Sequence, residues 1–304
     1  MQRKILVPTD FSKTAKAAGD MAVELAPLFN AQVHFFHKVN LPPKWEEYNE
    51  SQKNEFPDAL KRLRAMRANF AQIDRRYEGK HVKIVSTYSA GDMVPTISQY
   101  IEDQDIYMII MGSKGATGLT GWAFGSNAQR IVRYAHCPVL VVKKHDPNPN
   151  FKQLVFASDF KPEARKPFEK LIEFGKRFGA FIHLLHIAAY PRFEVTEEDV
   201  TRMESFAKDC PLPYKIHGVG DFEITGGIQY FARRTKADLL GIAHSGRSSL
   251  QRLFTGSVSE AIVNQVEFPV LVLNTKEDRE EMQSAQGADP ATASHLWTVT
   301  SSKG

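Results

Sequence analysis

The residues in this chain best suited to chemistry form two glycine clusters at a fixed separation. Gly112-Ser113-Lys114-Gly115 is followed, after nine intervening residues, by Gly125-Ser126. Gly112 and Gly115 can take φ > 0 and let backbone come close to a ligand. Gly125-Ser126 offers N–H groups and a hydroxyl at a helix start, where the dipole favours anions. Lys114 can neutralise phosphate charge, although an exposed loop lysine is as often idle. Ser126 is the stronger phosphate candidate, and Asn127 stands where it can assist phosphate or a bound magnesium ion. Two carboxylates complete the set. Asp10 and Asp159 each follow a short apolar run, at the carboxyl edge of a parallel sheet where ligands of such folds gather, and a carboxylate can accept hydrogen bonds from a ligand. Either can equally be a turn or cap aspartate beside its Phe.

The elements that must hold these groups are legible around them. Ile106 to Met111 is an apolar run that reads as a buried parallel strand, and Asn127 to Tyr134 reads as a helix with Ser126 near its N-cap. Ile5-Leu6-Val7 is a first strand, ended by Pro8-Thr9-Asp10-Phe11-Ser12. A helix follows with Ala18, Met21, Ala22, Leu25 and Leu28 on one apolar face, and then Val33 to His37 as a second strand. Strand, helix, strand demands a right-handed crossover and a parallel sheet. Leu60, Leu63, Met66, Phe70 and Ile73 predict a long amphipathic helix, Val82 to Ser86 a third strand, Gly91-Asp92 the start of a helix through Val94, Ile97 and Ile101, and Pro138 to Val142 a fifth strand.

The pattern then repeats. Leu154 to Phe160 echoes Ile5 to Phe11, Phe181 to His186 echoes the second strand, and Gly220-Asp221 echoes Gly91-Asp92. Leu239 to Gly246 stands where Met108 to Gly115 stood, and Gly256-Ser257 leads to Phe268 to Leu273. Correspondences kept in one order mark an internal duplication. The expected fold is α/β: two doubly wound domains, each a five-stranded parallel sheet flanked by helices, at 1–145 and 151–276. Residues 277–304 are polar and read as a mobile tail.

The spacing Gly-x2-Gly-x9-Gly-Ser, on this framework, resembles the ATP-binding signature of universal stress proteins, and the whole arrangement resembles a tandem member, over roughly residues 1 to 276. A Walker A loop would need Ser or Thr after Lys114, where Gly115 stands, and a dinucleotide fingerprint would follow the first strand. Pyrophosphatases of related architecture place glycines after strand one, which Pro8 to Ser12 lacks. The resemblance implies an adenine-nucleotide alpha-hydrolase-like fold and ATP, with Mg2+, as cofactor. It implies a nucleoside contact from Asp10 with Pro8 and Thr9 beside it, and a backbone contact at Val39. It further implies a cradle of Met111, Gly112, Ser113, Lys114, Gly115, Gly125, Ser126 and Asn127. A weaker second site would use Asp159, Gly246, Gly256 and Ser257, because Ala243 replaces the first glycine. An alanine methyl there crowds the ligand if the position needs close approach, and is harmless if it does not.

Composition sets the remaining bounds. The 304 residues carry 42% hydrophobic and 24% charged residues, and the net charge of +4 is too slight and dispersed to point to nucleic acid. Cys137 and Cys210 lie far apart, which suits reduced structural thiols. With neither a signal-peptide core nor an apolar stretch of membrane length in the sequence, a cytoplasmic location is expected. His34, His37, His183 and His186 lie on strands with irregular spacing between the halves, a poor start for a metal site. No catalytic set can be assembled, so at most slow ATP hydrolysis is expected. The chain reads as a nucleotide-dependent stress-response protein. The alternative is a scaffold in which Val139–Val142 and Val270–Leu273 pair within one chain as an intramolecular pseudo-dimer, with a homodimer as a further expectation.

Overall fold

A computed structural model describes residues 2–90, 93–113, 126–243, 266, 268–273 and 296–299. In the first half the strands are β1 (Arg3–Pro8), β2 (Ala31–Lys38), β3 (Ile84–Ser89), β4 (Met108–Gly112) and β5 (Val139–Val142). Its helices are α1 (Lys13–Phe29), the short α2 (Glu50–Asn54), α3 (Pro57–Arg76), α4 (Met93–Asp103) and α5 (Ser126–Tyr134). The second half repeats the plan with β6 (Gln153–Ala157), α6 (Arg165–Lys176), β7 (Phe181–Ala189), α7 (Glu197–Ala207), β8 (Tyr214–Asp221), α8 (Ile224–Arg234), β9 (Leu239–Ala243) and β10 (Val270–Leu273). A last strand, β11 (Leu296–Val299), closes the series.

All strands join one eleven-stranded sheet in the order β11-β3-β2-β1-β4-β5-β10-β9-β6-β7-β8. Each half supplies five parallel strands, and the halves meet where β5 and β10 pair antiparallel, Val141 opposite Val270 and Val139 opposite Val272. Helices cover both faces. One apolar layer packs α1, α3, α6 and α7 against residues such as Val7, Phe35, Phe156 and Leu184. The opposite layer packs α4, α5 and α8 against Leu6, Phe36, Val155 and Leu185. Strand residues alternate between these layers because successive side chains point to opposite faces. Both faces of the central strands are covered, so β4, β5, β9 and β10 are apolar almost throughout.

Local sequence accounts for the element ends. Ser12 caps α1, its hydroxyl accepting from the Ala15 N–H at 3.2 Å, and Asn30 ends the helix in the left-handed region at φ 49. Pro57 occupies the first turn of α3, where its missing N–H costs nothing. Thr196 and Asp199 form a capping box on α7.

Four sequence readings need correction. Leu28 does not share the buried face of α1: it is 42% exposed, and Phe29 is buried instead. The reason lies across the seam, where the Phe29 ring meets Phe174 of α6 at 5.6 Å and Tyr107 at 5.7 Å. The third strand starts at Ile84 and runs on to Ser89, because His81 takes a left-handed turn at φ 55 just before it. The stretch read wholly as a tail contributes β11, which lies antiparallel on β3 with Leu296 opposite Ser89 and Val299 opposite Ser86. An edge strand presents a row of unpaired backbone groups, and a Leu-Trp-Thr-Val segment has the β propensity to take it. Finally, the histidines are not irregular. His34 and His37 are the equivalents of His183 and His186, since Thr9 N–H donates to Phe36 O and Ser158 N–H to Leu185 O.

Candidate functional site

In the first half β1 and β4 are neighbours, with Ile5 opposite Met108 and Leu6 opposite Ile109. The chain leaves β1 into α1 on one face and leaves β4 toward α5 on the other. This is the topological switch point of a doubly wound sheet, where ligands collect beyond the strand carboxyl ends.

Asp10 sits there on a tightly specified turn. Phe11 N–H donates to the Thr9 hydroxyl and Ser12 N–H to Asp10 Oδ1, both at 3.0 Å. Phe11 takes a left-handed backbone at φ 63, a strained conformation for a residue with a large side chain. Its ring is held against His37 at 4.5 Å and Phe70 at 5.4 Å. His37 Nδ1 lies 2.7 Å from the Thr9 carbonyl. A carbonyl can only accept, so Nδ1 carries the proton and donates. Burial lowers the His37 pKa, against the opposing pull of that carbonyl and of Asp10, so the ring is neutral at pH 7. The turn thus holds an exposed carboxylate on a rigid base. That carboxylate is both a turn former and a group able to accept from an adenine amino or ribose hydroxyl.

The second half builds the same turn. Phe160, at φ 56, donates its N–H to the Ser158 hydroxyl at 3.0 Å, Lys161 N–H donates to Asp159 Oδ1 at 3.4 Å, and His186 Nδ1 faces the Ser158 carbonyl at 3.4 Å. The carboxylate differs in its company. Lys161 Nζ pairs with Asp159 Oδ2 at 3.1 Å, and Arg202 Nε donates to the Asp159 carbonyl at 3.1 Å. Behind it, Asp199 is nearly sealed and binds Arg192, Arg202 and Thr196, with His186 at 3.7 Å. Burial pushes the Asp199 pKa up, but the Thr196 N–H and hydroxyl, Arg202 and His186 outweigh it and hold the group at about 2. Sequence reading missed both the paired histidines and this cluster. The repeated His-x-x-His of β2 and β7 was the available signal for the former.

The remaining sequence-derived residues fall as follows. Pro8 ends β1 opposite Phe36. Met111 and Gly112 end β4 beside Val141 and Val142, and Ser113 is buried with its N–H donating to Val142 O. Val39 is buried, and its N–H donates to Ser89 O at 2.8 Å, so a ligand contact from Val39 would have to use other atoms. Ser126 is the first residue of α5, with Asn127 next. Lys114, Gly115, Gly125, Gly246, Gly256 and Ser257 lie outside the described residues.

Gly112 answers the question that Ala243 raises. Its φ is not left-handed, so conformational freedom is not the reason for glycine. A Cβ there would come within 2.7 Å of the Thr14 carbonyl carbon and 2.8 Å of Thr14 Cβ. The glycine lets the first turn of α1 press onto the end of β4. In the second half Ala243 is fully buried at the end of β9.

A cavity of about 110 Å³ lies next to the turn, lined by Thr9, Phe11, Phe35 and Tyr77, but it opens between α1 and α3 and is too small for a nucleotide. Among the described residues, no three His, Cys, Asp or Glu side chains converge as metal ligands, and no helix is long and apolar enough to cross a membrane.

Known proteins share this fold. The sequence model described as the Universal stress protein family matches residues 1–143 and 221–274. A universal stress protein of Methanocaldococcus jannaschii is 33% identical over 152 residues, covering 47% of this chain and 84% of that protein. One from Mycobacterium tuberculosis is 22% identical over 306 residues, covering 90% of this chain and 96% of its own length. The crystal structure of a universal stress protein from Archaeoglobus fulgidus superposes with a TM-score of 0.70 at 20% identity, over 91% of this chain and 98% of the other. At that identity the superposition speaks for the fold.

Proposed function

This chain belongs to the universal stress protein family, and on that basis we propose that its first half binds an adenine nucleotide whose occupancy serves as a stress-response signal. The observation that carries the reading is the Asp10 turn, set at the β1–β4 switch point with the glycine-ended β4 pressed against α1. Asp10 takes the nucleoside end. The Gly112 to Asn127 segment takes the phosphates, with Ser126 and Asn127 at the start of α5, where backbone N–H groups favour anions. We name ATP as the nucleotide, with Mg2+ as its companion at the phosphates. Hydrolysis is slow or absent in this reading, and the nucleotide acts by being bound.

The two repeats, which we assign to 1–145 and 151–276, differ in this role. Lys161 stands where the first repeat has Ser12, and its ion pair with Asp159 competes with any nucleoside contact. Nucleotide therefore belongs to the first repeat. A second reading, compatible with the first, is favoured by the antiparallel β5–β10 pairing: the duplicated fold is an intramolecular pseudo-dimer that presents a scaffold to partners.

The test is mass analysis of nucleotide released from the purified protein, followed by calorimetric titration of the stripped protein with ATP and AMP. One nucleotide per chain is expected. Asp10→Asn keeps the turn and weakens binding about tenfold, the loss of roughly one charge-assisted hydrogen bond, while Asp159→Asn leaves it unchanged. A folded protein that takes up no nucleotide at millimolar ATP leaves only the scaffold reading.

A further inference from the structure

The two outer strands of the sheet are treated differently. At one end β11 covers β3. At the other, β8 is the equivalent strand of the second repeat, and among the described residues it is bonded to β7 alone. Its outward backbone groups can be assigned. Tyr190 N–H donates to Asp221 O and Ile182 N–H to Pro213 O, so odd-numbered residues turn their polar groups toward β7. Tyr214, Ile216, Gly218 and Gly220 therefore direct theirs outward.

Exposed apolar side chains gather at this edge. Tyr214 is 37% exposed at its start and Phe222 is 76% exposed just past its end. Phe222 continues into a chain of rings, 4.8 Å to Phe193 and 5.6 Å from there to Tyr190. Long edges flanked by apolar surface associate unless something covers them.

The sequence of β8 is complementary to its own reverse. Laid antiparallel on a second β8 about Gly218, it sets Gly218 opposite Gly218, Ile216 opposite Gly220, Tyr214 opposite Phe222 and Lys215 opposite Asp221. The even-numbered pairs are the hydrogen-bonded ones. Lys215 and Asp221 fall at the closer, non-hydrogen-bonded positions, where opposite charges help most. A Cβ on Gly218 would meet this chain's own Val195 at 2.6 Å and one on Gly220 its own Phe193 carbonyl, so packing within the chain requires both glycines.

We propose that β8 is the surface through which two copies of this chain associate, pairing antiparallel about a two-fold axis at Gly218. The two sheets become one across the contact. Two Lys215–Asp221 pairs and two Tyr214–Phe222 pairs set the register.

Analytical ultracentrifugation across a concentration series tests this. The wild-type chain is expected to dimerise. Lys215→Glu and Asp221→Lys each place like charges opposite one another twice, and each weakens the dimer roughly tenfold or more. An equimolar mixture of the two variants restores opposite charges at both contacts and recovers association. Circular dichroism and urea midpoints establish that each variant is folded. A second readout needs no variant: the amides of Ile216, Gly218 and Gly220 gain hydrogen-exchange protection as wild-type concentration rises. The proposal is overturned by a wild-type monomer throughout the range, or by a dimer indifferent to both charge reversals. Protection of those amides that does not depend on concentration also overturns it, since another segment or a bound peptide would then hold the edge.

Discussion

At the scale of the residue, the turn that presents Asp10 is governed by hydroxyl and imidazole groups that flank it. The Thr9 hydroxyl satisfies the Phe11 N–H while Phe11 holds a left-handed backbone. Thr9→Val removes that acceptor and is expected to cost about 1 kcal/mol, read as a lower urea midpoint with unchanged far-ultraviolet dichroism. Asp199 makes a pH-dependent contribution. Its folded pKa of about 2 lies below the usual carboxylate value, so the unfolded chain takes up a proton first as pH falls. The stabilisation is thus fully present above about pH 4 and is lost as pH drops toward 2, with a size of roughly 2 kcal/mol. Asp199→Asn should be less stable than wild type at pH 7, with the gap narrowing as pH falls from about 4 toward 2. A gap that stays constant with pH would mean that the carboxylate charge is not what Arg192 and Arg202 recognise.

At the scale of the element, the junction of β4 and α1 decides how the candidate site is shaped. Gly112→Ala drives a methyl against Thr14, and overpacking of that kind costs about 1–3 kcal/mol. Ala243→Gly at the matching place in β9 costs at most about 1 kcal/mol, from backbone entropy and a lost methyl. Urea midpoints of the two variants separate these outcomes. If Gly112→Ala instead abolishes nucleotide uptake with no change in stability, the glycine makes room for ligand rather than for the helix.

At the scale of the whole molecule, the halves are welded along more than β5 and β10. Arg3 Nη2 meets Glu173 Oε1 at 2.6 Å, and Phe29 packs on Phe174. A continuous sheet with a shared core predicts one unfolding transition. Phe174→Ala removes about 3 kcal/mol of core packing and should split it into two, seen as diverging fluorescence and dichroism melts. Acid acts on both halves together. Burial, with Lys4 and Lys83 nearby, lowers the His34 pKa to about 4, and burial, with His183 and Lys215, lowers that of His217 to about 4. Both rings fold neutral, so stability is complete above about pH 6.5 and falls as pH drops toward 4. The urea midpoint should decline over that window, and more shallowly in a His34→Gln, His217→Gln variant.

What the sequence determined by itself was whatever local periodicity and duplication encode. Apolar strand runs such as Leu154 to Ala157, the face of α3 through Leu63, Met66 and Phe70, and the paired Asp10 and Asp159 turns all declare themselves through short-range spacing. Tertiary structure alone decided what depends on residues far apart in the chain. Leu28 is exposed because Phe174, beyond the linker, claims Phe29. Arg202 reaches the Asp159 carbonyl only when α7 is docked. Gly112 is needed because Thr14, nearly a hundred residues earlier, lies within 2.7 Å of where its Cβ would be. Residues 296–299 became a strand because β3 offered unpaired hydrogen bonds. Spacing along a chain reports what one element can bury, whereas packing density and backbone hydrogen-bond satisfaction are settled only when elements meet.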